Sequence, residues 1–111
     1  MATGYDYETT QDIGTSNTTV YTTPTVLSAH IDKAKVFNYG SATATLTGYL
    51  VRSGDTATAD NRDILVIVPV GKSVTLYEIM GDLLKTGDLL VFSSSAASAL
   101  SVRVKVREIT S

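Results

Sequence analysis

The chain has 111 residues, of which 43% are hydrophobic and 18% charged, with a formal net charge of -2 at pH 7. This length fits one domain with one core, and the absence of cysteine excludes disulfides, thiolate catalysis and zinc–thiolate or iron–sulfur sites. No basic cluster of the kind that binds nucleic acid occurs, and the longest apolar run, residues 64–70, is too short to span a bilayer. The N-terminus lacks the pattern of a secretory signal. We therefore expect synthesis in the cytoplasm, with no nucleic-acid partner and no membrane partner.

Residues 1–17 are rich in threonine, glycine and acidic side chains and show no sustained hydrophobic period. A segment of this composition is mobile on its own, yet it contains Tyr5, Tyr7 and Ile13. Tyrosine recurs at interfaces because it buries a large area at low entropic cost. Two interpretations stay open: a frayed terminus, or an arm that becomes ordered against a partner.

From residue 18 the chain is rich in β-branched residues, which predicts strands over residues 18–23 and 26–38. In the second of these, alternation places Ala34 and Val36 inward and the neighbouring lysines outward. A further predicted strand, residues 44–52, has Gly48 in its interior. Glycine at such a position indicates a β-bulge or a close approach of backbone.

The second half of the chain opens with a polar loop over residues 53–63. The continuous apolar run at 64–68 predicts a central strand covered on both faces. Residues 76–84 carry a short stripe with helical spacing, but Gly81 interrupts it, so we predict an irregular or single-turn segment.

Strands are also predicted over residues 73–78, 89–93 and 100–110, the last with strict alternation of valine and cationic side chains. Seven or eight short strands with turns about every ten residues predict an all-β fold, an antiparallel sandwich or barrel, and we take it as a β-sandwich of jelly-roll or immunoglobulin-like type. The sequence does not determine the strand order that would separate these two. The predicted organisation is an N-terminal arm, residues 1–17, followed by a β-sandwich domain, residues 18–111.

The motifs for catalysis are missing or incomplete. His30 is the only histidine and no G-x-S-x-G nucleophile motif occurs. The Gly71-Lys72-Ser73 sequence lacks the upstream glycine of a phosphate-binding loop. We therefore predict that the protein is not an enzyme and has no catalytic residues and no cofactor.

One histidine supplies too few ligands for a transition-metal site. The loop at 53–63 carries Asp55, Asp60, Asn61 and Asp63, whose oxygens are ligands of the type that calcium prefers. Whether this loop binds an ion is left open by the sequence.

Several segments together resemble small β-sandwich virion proteins of tailed bacteriophages. They are T-V-Y-T-T-P at 19–24, the strand ending in Asn38, A-T-A-T-L-T-G-Y-L-V at 42–51, P-V-G-K-S-V-T-L at 69–76, and the stretch from L-K-T-G-D-L to V-R-E-I-T at 84–110. The resemblance covers residues 18–110 and is greatest to the capsid decoration, or staple, proteins of epsilon-type short-tailed Salmonella phages. The chain departs from the pattern at Thr25-Val26, where the family has Gly-Lys.

The resemblance implies a structural virion protein on the outer capsid surface that bridges neighbouring major capsid subunits and stabilises the shell. It implies two partners, the major capsid protein and a second copy of the chain in a homodimer. Tyr5, Tyr7 and Ile13 are then the predicted partner-binding residues, on an arm that adds as a strand to a partner's sheet edge. Deleting the arm is expected to leave a folded domain that no longer binds. The alternative is a receptor- or glycan-binding β-sandwich module of a phage tail fibre or baseplate.

Overall fold

The computed structural model describes residues 4–25, 27–58 and 61–110. These residues form two antiparallel sheets with nine strands and no α-helix, so no helix among them could cross a membrane. The predicted all-β sandwich is confirmed. In chain order the strands are β1 (Gly4–Ile13), β2 (Thr18–Thr22), β3 (Leu27–Asn38), β4 (Ala44–Val51), β5 (Arg62–Val68), β6 (Ser73–Thr75), β7 (Leu83–Leu84), β8 (Leu89–Ser94) and β9 (Leu100–Thr110).

The strand order identifies the sandwich as a jelly roll. Sheet A has the order β1-β9-β3-β6, with β7 also paired to β3, and sheet B has the order β2-β8-β4-β5. The first four strands alternate between the two sheets, and the chain crosses again after β5, β7 and β8. Immunoglobulin-like sandwiches instead keep their first two strands in one sheet.

A single core lies between the sheets and is filled by the inward-facing residues of both. The alternation predicted for the last strand is confirmed, because all three of its valines are fully buried and Arg103 and Arg107 are exposed. Ala34 and Val36 of β3 also face inward as predicted. Phe92 on β8 is the largest of the fully buried side chains.

The absence of a side chain at Gly48 leaves room for the Phe92 ring. The two residues lie directly opposite each other in the β4–β8 ladder, and a Cβ atom on Gly48 would lie 2.7 Å from Cε1 of Phe92. The register of β4 with β5 also shifts between Gly48 and Tyr49. The predicted bulge at this glycine is confirmed, whereas the group that approaches it closely is the Phe92 ring and not a backbone segment.

The segment between β6 and β7 is a series of turns, as predicted, and not a helix. Leu76 and Ile79 are buried, and the amide of Ile79 donates to the carbonyl of Leu76 over three residues, at 3.4 Å. Gly81 adopts a φ of 89°, which suits glycine, and its amide donates to the carbonyl of Ile31 at 2.7 Å. Apolar spacing in this segment therefore reflects turns that close one end of the core.

The prediction of a covered central strand at 64–68 is wrong. This run forms β5, which is the last strand of sheet B, and the side chains of Leu65 and Ile67 are 63% and 65% exposed. Ile64 and Val68 are buried on the opposite face. A continuous apolar run shows which residues favour a strand, but the covering of its second face depends on neighbours that the run does not specify.

Candidate partner-binding surface

Residues 4–13 form a complete edge strand, which the sequence analysis did not predict. β1 pairs with β9 over its whole length, from Gly4 opposite Ile109 to Ile13 opposite Leu100. Within the described residues no strand pairs with the other side of β1. Its outer row of backbone amides and carbonyls is therefore available to a further strand. The missed signal is an inward-facing set with period two: Tyr7, Thr9, Gln11 and Ile13 lie opposite buried residues of β9.

The three predicted partner-binding residues have different positions on this strand. Ile13 is 1% exposed and packs in the core, so it reaches a partner only if β1 leaves β9. Tyr7 is 47% exposed at the surface. The backbone of Tyr5 pairs with Glu108, and its side chain lies outside the part of the chain that the structure describes.

Tyr7 belongs to a small cluster that joins the two sheets. Its ring centroid lies 5.8 Å from that of Tyr21, with the two planes inclined at 49°. Tyr21 is 5% exposed, and its hydroxyl donates a hydrogen bond of 2.5 Å to Oε2 of Glu108 on β9. Burial, this hydrogen bond and the charge of Glu108 raise the pKa of Tyr21 well above its ordinary value of 10.0.

A β-bulge in β2 positions the cluster. The register of β2 with β8 shifts between Thr19 and Tyr21, and the consecutive residues Val20 and Tyr21 are both buried. Without a bulge, neighbouring residues of a strand point to opposite faces. The bulge thus directs Tyr21 toward sheet A.

An open cleft of about 410 Å³ lies over this cluster. Tyr7, Tyr21 and Glu108 form part of its wall, and Pro24 closes one side. Its walls include the half-exposed Tyr7 ring, and exposed tyrosine is enriched at protein interfaces. This cleft and the free edge of β1 form one continuous candidate surface, here called the β1 surface.

The segment between β1 and β2 is exposed at every residue from 14 to 17. It is held at its start by the amide of Ser94, which donates to the carbonyl of Gly14 at 2.9 Å. Near its end, the hydroxyl of Thr18 donates to the carbonyl of Ser16 at 3.3 Å. These are few contacts, so the segment can act as a hinge between β1 and the rest of the chain.

A second candidate surface, which sequence reasoning missed, is the β5 surface: the outer face and free edge of β5 with Leu65 and Ile67. In the β4–β5 ladder, Leu65 lies opposite Thr47 and Ile67 opposite Thr45, so these outer neighbours carry no charge. Among the described residues no strand pairs with the outer side of β5, and large apolar side chains this exposed on such an edge are typical of an association site.

The two surfaces lie at opposite margins of the sandwich. β1 contacts β2, which is the first strand of sheet B, and β5 is the last strand of that sheet. Three strand spacings separate β2 from β5, which is about 14 Å. A single molecule can therefore contact two partners at once.

The neighbours of His30 among the described residues are strand partners. It is half-buried on the outer face of sheet A and lies opposite Arg107 on β9 and Leu83 on β7. Among the described residues no group of three or more histidine, aspartate or glutamate side chains could hold a metal ion. Asp60, one of the four calcium-type residues of the loop, lies outside the described residues.

The strongest charged interaction of the described residues has a structural role. Asp88 is 3% exposed and its Oδ2 lies 2.7 Å from an Arg52 guanidinium nitrogen. Its carboxylate also accepts hydrogen bonds of 2.9 Å from the amides of Ser53 and Lys85. Burial opposes ionisation, but these hydrogen bonds together hold the pKa of Asp88 below its ordinary value. The cluster ties the end of β4 to the turn before β8.

No protein-family model matches the sequence, and no curated protein matches it. The fold is similar to that of solved structures at low identity. One is a chain in the structure of Bacillus endospore appendages, described as disulfide-linked pili, with 12% identity, a TM-score of 0.60 and coverage of 99% of this chain and 88% of that chain. Another comes from the acid-stable capsid of the Helicobacter pylori bacteriophage KHP30, with 11% identity, a TM-score of 0.52 and coverage of 98% and 93%. At these identities the similarity concerns the fold alone.

Proposed function

We propose that this chain is a structural virion protein that binds the outside of a phage capsid, bridges neighbouring major capsid subunits and thereby stabilises the shell. The observation that carries the proposal is the pair of free sheet edges, the β1 surface and the β5 surface, at opposite margins of one rigid sandwich. A bridge needs two separate contact surfaces, and a sandwich holds them at a defined distance.

The comparisons support this proposal at the level of the fold. The jelly roll is an architecture of viral capsid domains, and one similar structure is a phage capsid. The similar pilus structure is described as disulfide-linked. This chain has no cysteine, so it cannot take part in an assembly through disulfide bonds of its own.

Repetition makes weak contacts sufficient. A shell presents many identical sites, and a molecule that is held at one surface meets the second site at a high effective concentration. Rupture of the shell at that place must then break the bridge as well as the subunit contact. A homodimer on a local two-fold axis would double the number of contacts through an isologous interface.

In this mechanism residues 1–17 act as the contact arm and residues 18–111 as the domain that carries it. Tyr7 supplies exposed aromatic area, Tyr5 extends the same strand, and the free edge of β1 accepts a strand from the shell. Ile13 anchors the arm in the core.

The test is co-sedimentation of the purified protein with mature shells from which the native protein has been stripped, with immature shells alongside. We expect saturable binding to mature shells. Tyr7→Ala should weaken it about tenfold, as for an interface aromatic. Phe37→Ala is the matched control, because Phe37 is 43% exposed and lies on β3, which β9 separates from β1.

The β5 surface is tested in the same assay with the double variant Leu65→Ser/Ile67→Ser. Loss of bridging should lower the resistance of decorated shells to heat even where some binding remains. Val70→Ser is the control, since Val70 is an apolar residue that is 44% exposed but lies beyond the end of β5. Binding to neither kind of shell would overturn the proposal, and saturable binding of a host polysaccharide would then favour the glycan-binding alternative.

A further inference from the structure

Five of the nine lysine and arginine residues lie on the outer face of sheet A. A bulge in β3 between Ile31 and Lys33 contributes to this arrangement. Residues two apart in a regular strand share a face, but here Ile31 is buried and Lys33 is exposed. The cations of β3 are thereby brought beside those of β9. The face, here called the cationic face, consists of Lys33, Lys35, Arg103, Lys105 and Arg107.

These cations oppose one another directly across the β3–β9 ladder. Lys33 lies opposite Lys105, and Lys35 lies opposite Arg103. Like charges at directly opposite positions destabilise a sheet. Among the described side chains, none of the five forms an ion pair, since the ion pair found there joins Arg52 and Asp88. These β3–β9 pairs are thus repulsive, and Glu8 of β1, which lies opposite Lys105, offsets part of that repulsion.

The cationic face is not flat. A groove of about 400 Å³ runs beside Lys33, Lys35 and Lys105 and is bounded on one side by Tyr77 and Met80. Tyr77 is 72% exposed, the most exposed of the large hydrophobic side chains of the described residues. A groove with cations on its floor and an aromatic and a thioether wall offers both charge and apolar area.

We propose that this groove binds an extended, carboxylate-rich segment of a partner protein. Alternate residues of an extended chain are about 6.8 Å apart, which is also the separation of successive outward cations along β3 and β9. A segment with a carboxylate at every second residue therefore places one beside each cation of a strand. Tyr77 and Met80 take up the apolar parts of such a segment, as these residue types do at protein interfaces.

A protein segment fits this groove better than a nucleic acid does. Glu8 lies opposite Lys105 and lines the groove, where it repels phosphates and carboxylates alike, so this charge does not separate the two kinds of ligand. Outside the cationic face the chain has four lysine and arginine residues, whereas it has eleven aspartate and glutamate residues in all. The rest of the molecule therefore repels a long polyanion. A short acidic segment in the groove meets Glu8 but approaches fewer of the other acids than a long polyanion does.

The inference deepens the proposed function and rests on it only for the identity of the partner, which is then the major capsid protein. The cationic face is separate from the β1 and β5 surfaces, so it adds a third contact whose strength depends on salt.

The test uses the full chain and a fluorescent peptide of alternating glutamate and serine, of the same length as β9, in an anisotropy titration at low salt. We expect saturable binding that weakens as salt is added. The double variant Lys35→Gln/Lys105→Gln should weaken it about fivefold, as for two exposed charge contacts. Lys72→Gln/Lys85→Gln is the matched control, because it removes the same charge from lysines that are exposed outside the face.

Three results would overturn the proposal. They are the absence of saturable peptide binding, an equal loss in both double variants, and tighter binding of an oligodeoxythymidine of the same length that depends on Lys35 and Lys105. The shell assay separates the two proposals. Unchanged shell binding by Lys35→Gln/Lys105→Gln would show that the cationic face does not contact the capsid, while the proposed capsid-binding function would still hold. Peptide binding without any shell binding would support the cationic face as a site for acidic segments and overturn the proposed capsid-binding function.

Discussion

The hydroxyl of Tyr21 donates a 2.5 Å hydrogen bond to Oε2 of Glu108, and this contact joins sheet B to sheet A beside the β1 surface. The two residues are 87 positions apart in the sequence. Tyr21 also contacts the ring of Tyr7, which is a predicted partner-binding residue. The position of Tyr7 therefore depends on this link between the sheets.

Tyr21→Phe removes the hydroxyl and keeps the ring. We expect a loss of about 1–2 kcal/mol in the free energy of unfolding, since a hydrogen bond to a charged group is lost while partly exposed Glu108 regains water. Urea unfolding measures it. Tyr77→Phe, which removes an exposed hydroxyl, should change stability by less than about 0.5 kcal/mol. Equal effects in the two variants would contradict the role given to Glu108.

Alkaline pH should reveal the same link. Because the folded-state pKa of Tyr21 is raised above 10.0, its contribution to stability is fully present below pH 10 and is lost as the pH rises further. Stability measured from pH 8 to 11 should therefore fall less steeply for Tyr21→Phe than for the wild type. Identical slopes would show that Tyr21 ionises alike in the folded and unfolded chains.

Asp88→Asn tests the buried carboxylate at the end of β4. The variant weakens the hydrogen bonds from Arg52, Ser53 and Lys85, so we expect a loss of about 2–3 kcal/mol at pH 7. Because the folded-state pKa lies below 3.8, the contribution is present above that pH and is lost as the pH falls through the folded-state value. Unfolding at pH 7 and at pH 2.5 should show the difference between wild type and variant shrinking in acid. Asp55→Asn, at an exposed position, is the control.

Gly48→Ala tests the close approach to Phe92. The added methyl group would lie 2.7 Å from a ring carbon that is itself fully buried, so overpacking should cost about 1–3 kcal/mol. Phe92→Leu in the same chain should relieve part of this cost, as a double-mutant cycle would show. Gly14→Ala is the control, because a Cβ atom there meets nothing within 4 Å.

Lys33→Gln should stabilise the isolated protein, because it removes the like-charge pair with Lys105, and no carboxylate lies opposite Lys33 in the ladders of the described residues. We expect a gain of about 0.2–1 kcal/mol at low salt, and this gain should shrink as added salt screens the pair. Thermal unfolding in low and high sodium chloride measures both effects. Lys72→Gln, on an exposed turn, should show no such gain, and an equal gain there would indicate a general effect of net charge.

Much of the fold could be predicted where a pattern was regular. The alternating valines and cations of β9 predicted its length and both its faces, because strand geometry places every second residue on the same side. The bulge at Gly48 could also be predicted, because a glycine inside a strand pattern is itself a local signal. β1 was missed because threonine, glutamine and tyrosine face inward along it, and its pattern emerges only beside β9.

The candidate site could be predicted only in part. Tyr7 lies at the surface on a free edge, but Ile13 was assigned to a partner and lies in the core. The exposure of Leu65 and Ile67 was not foreseen, because an apolar run has the same appearance in a central strand and in an edge strand.

The sequence by itself determined that this is an all-β chain without cysteine chemistry, and which residues of its regular strands share a face. Those properties depend on composition and on periodicity along a few neighbouring residues. Only the tertiary structure decided which strands are edges, that Tyr21 reaches Glu108, and that Lys33 and Lys35 lie beside the cations of β9. The physical reason is that strand pairing joins residues distant in sequence, so the neighbours across a ladder depend on the whole chain and not on any local pattern.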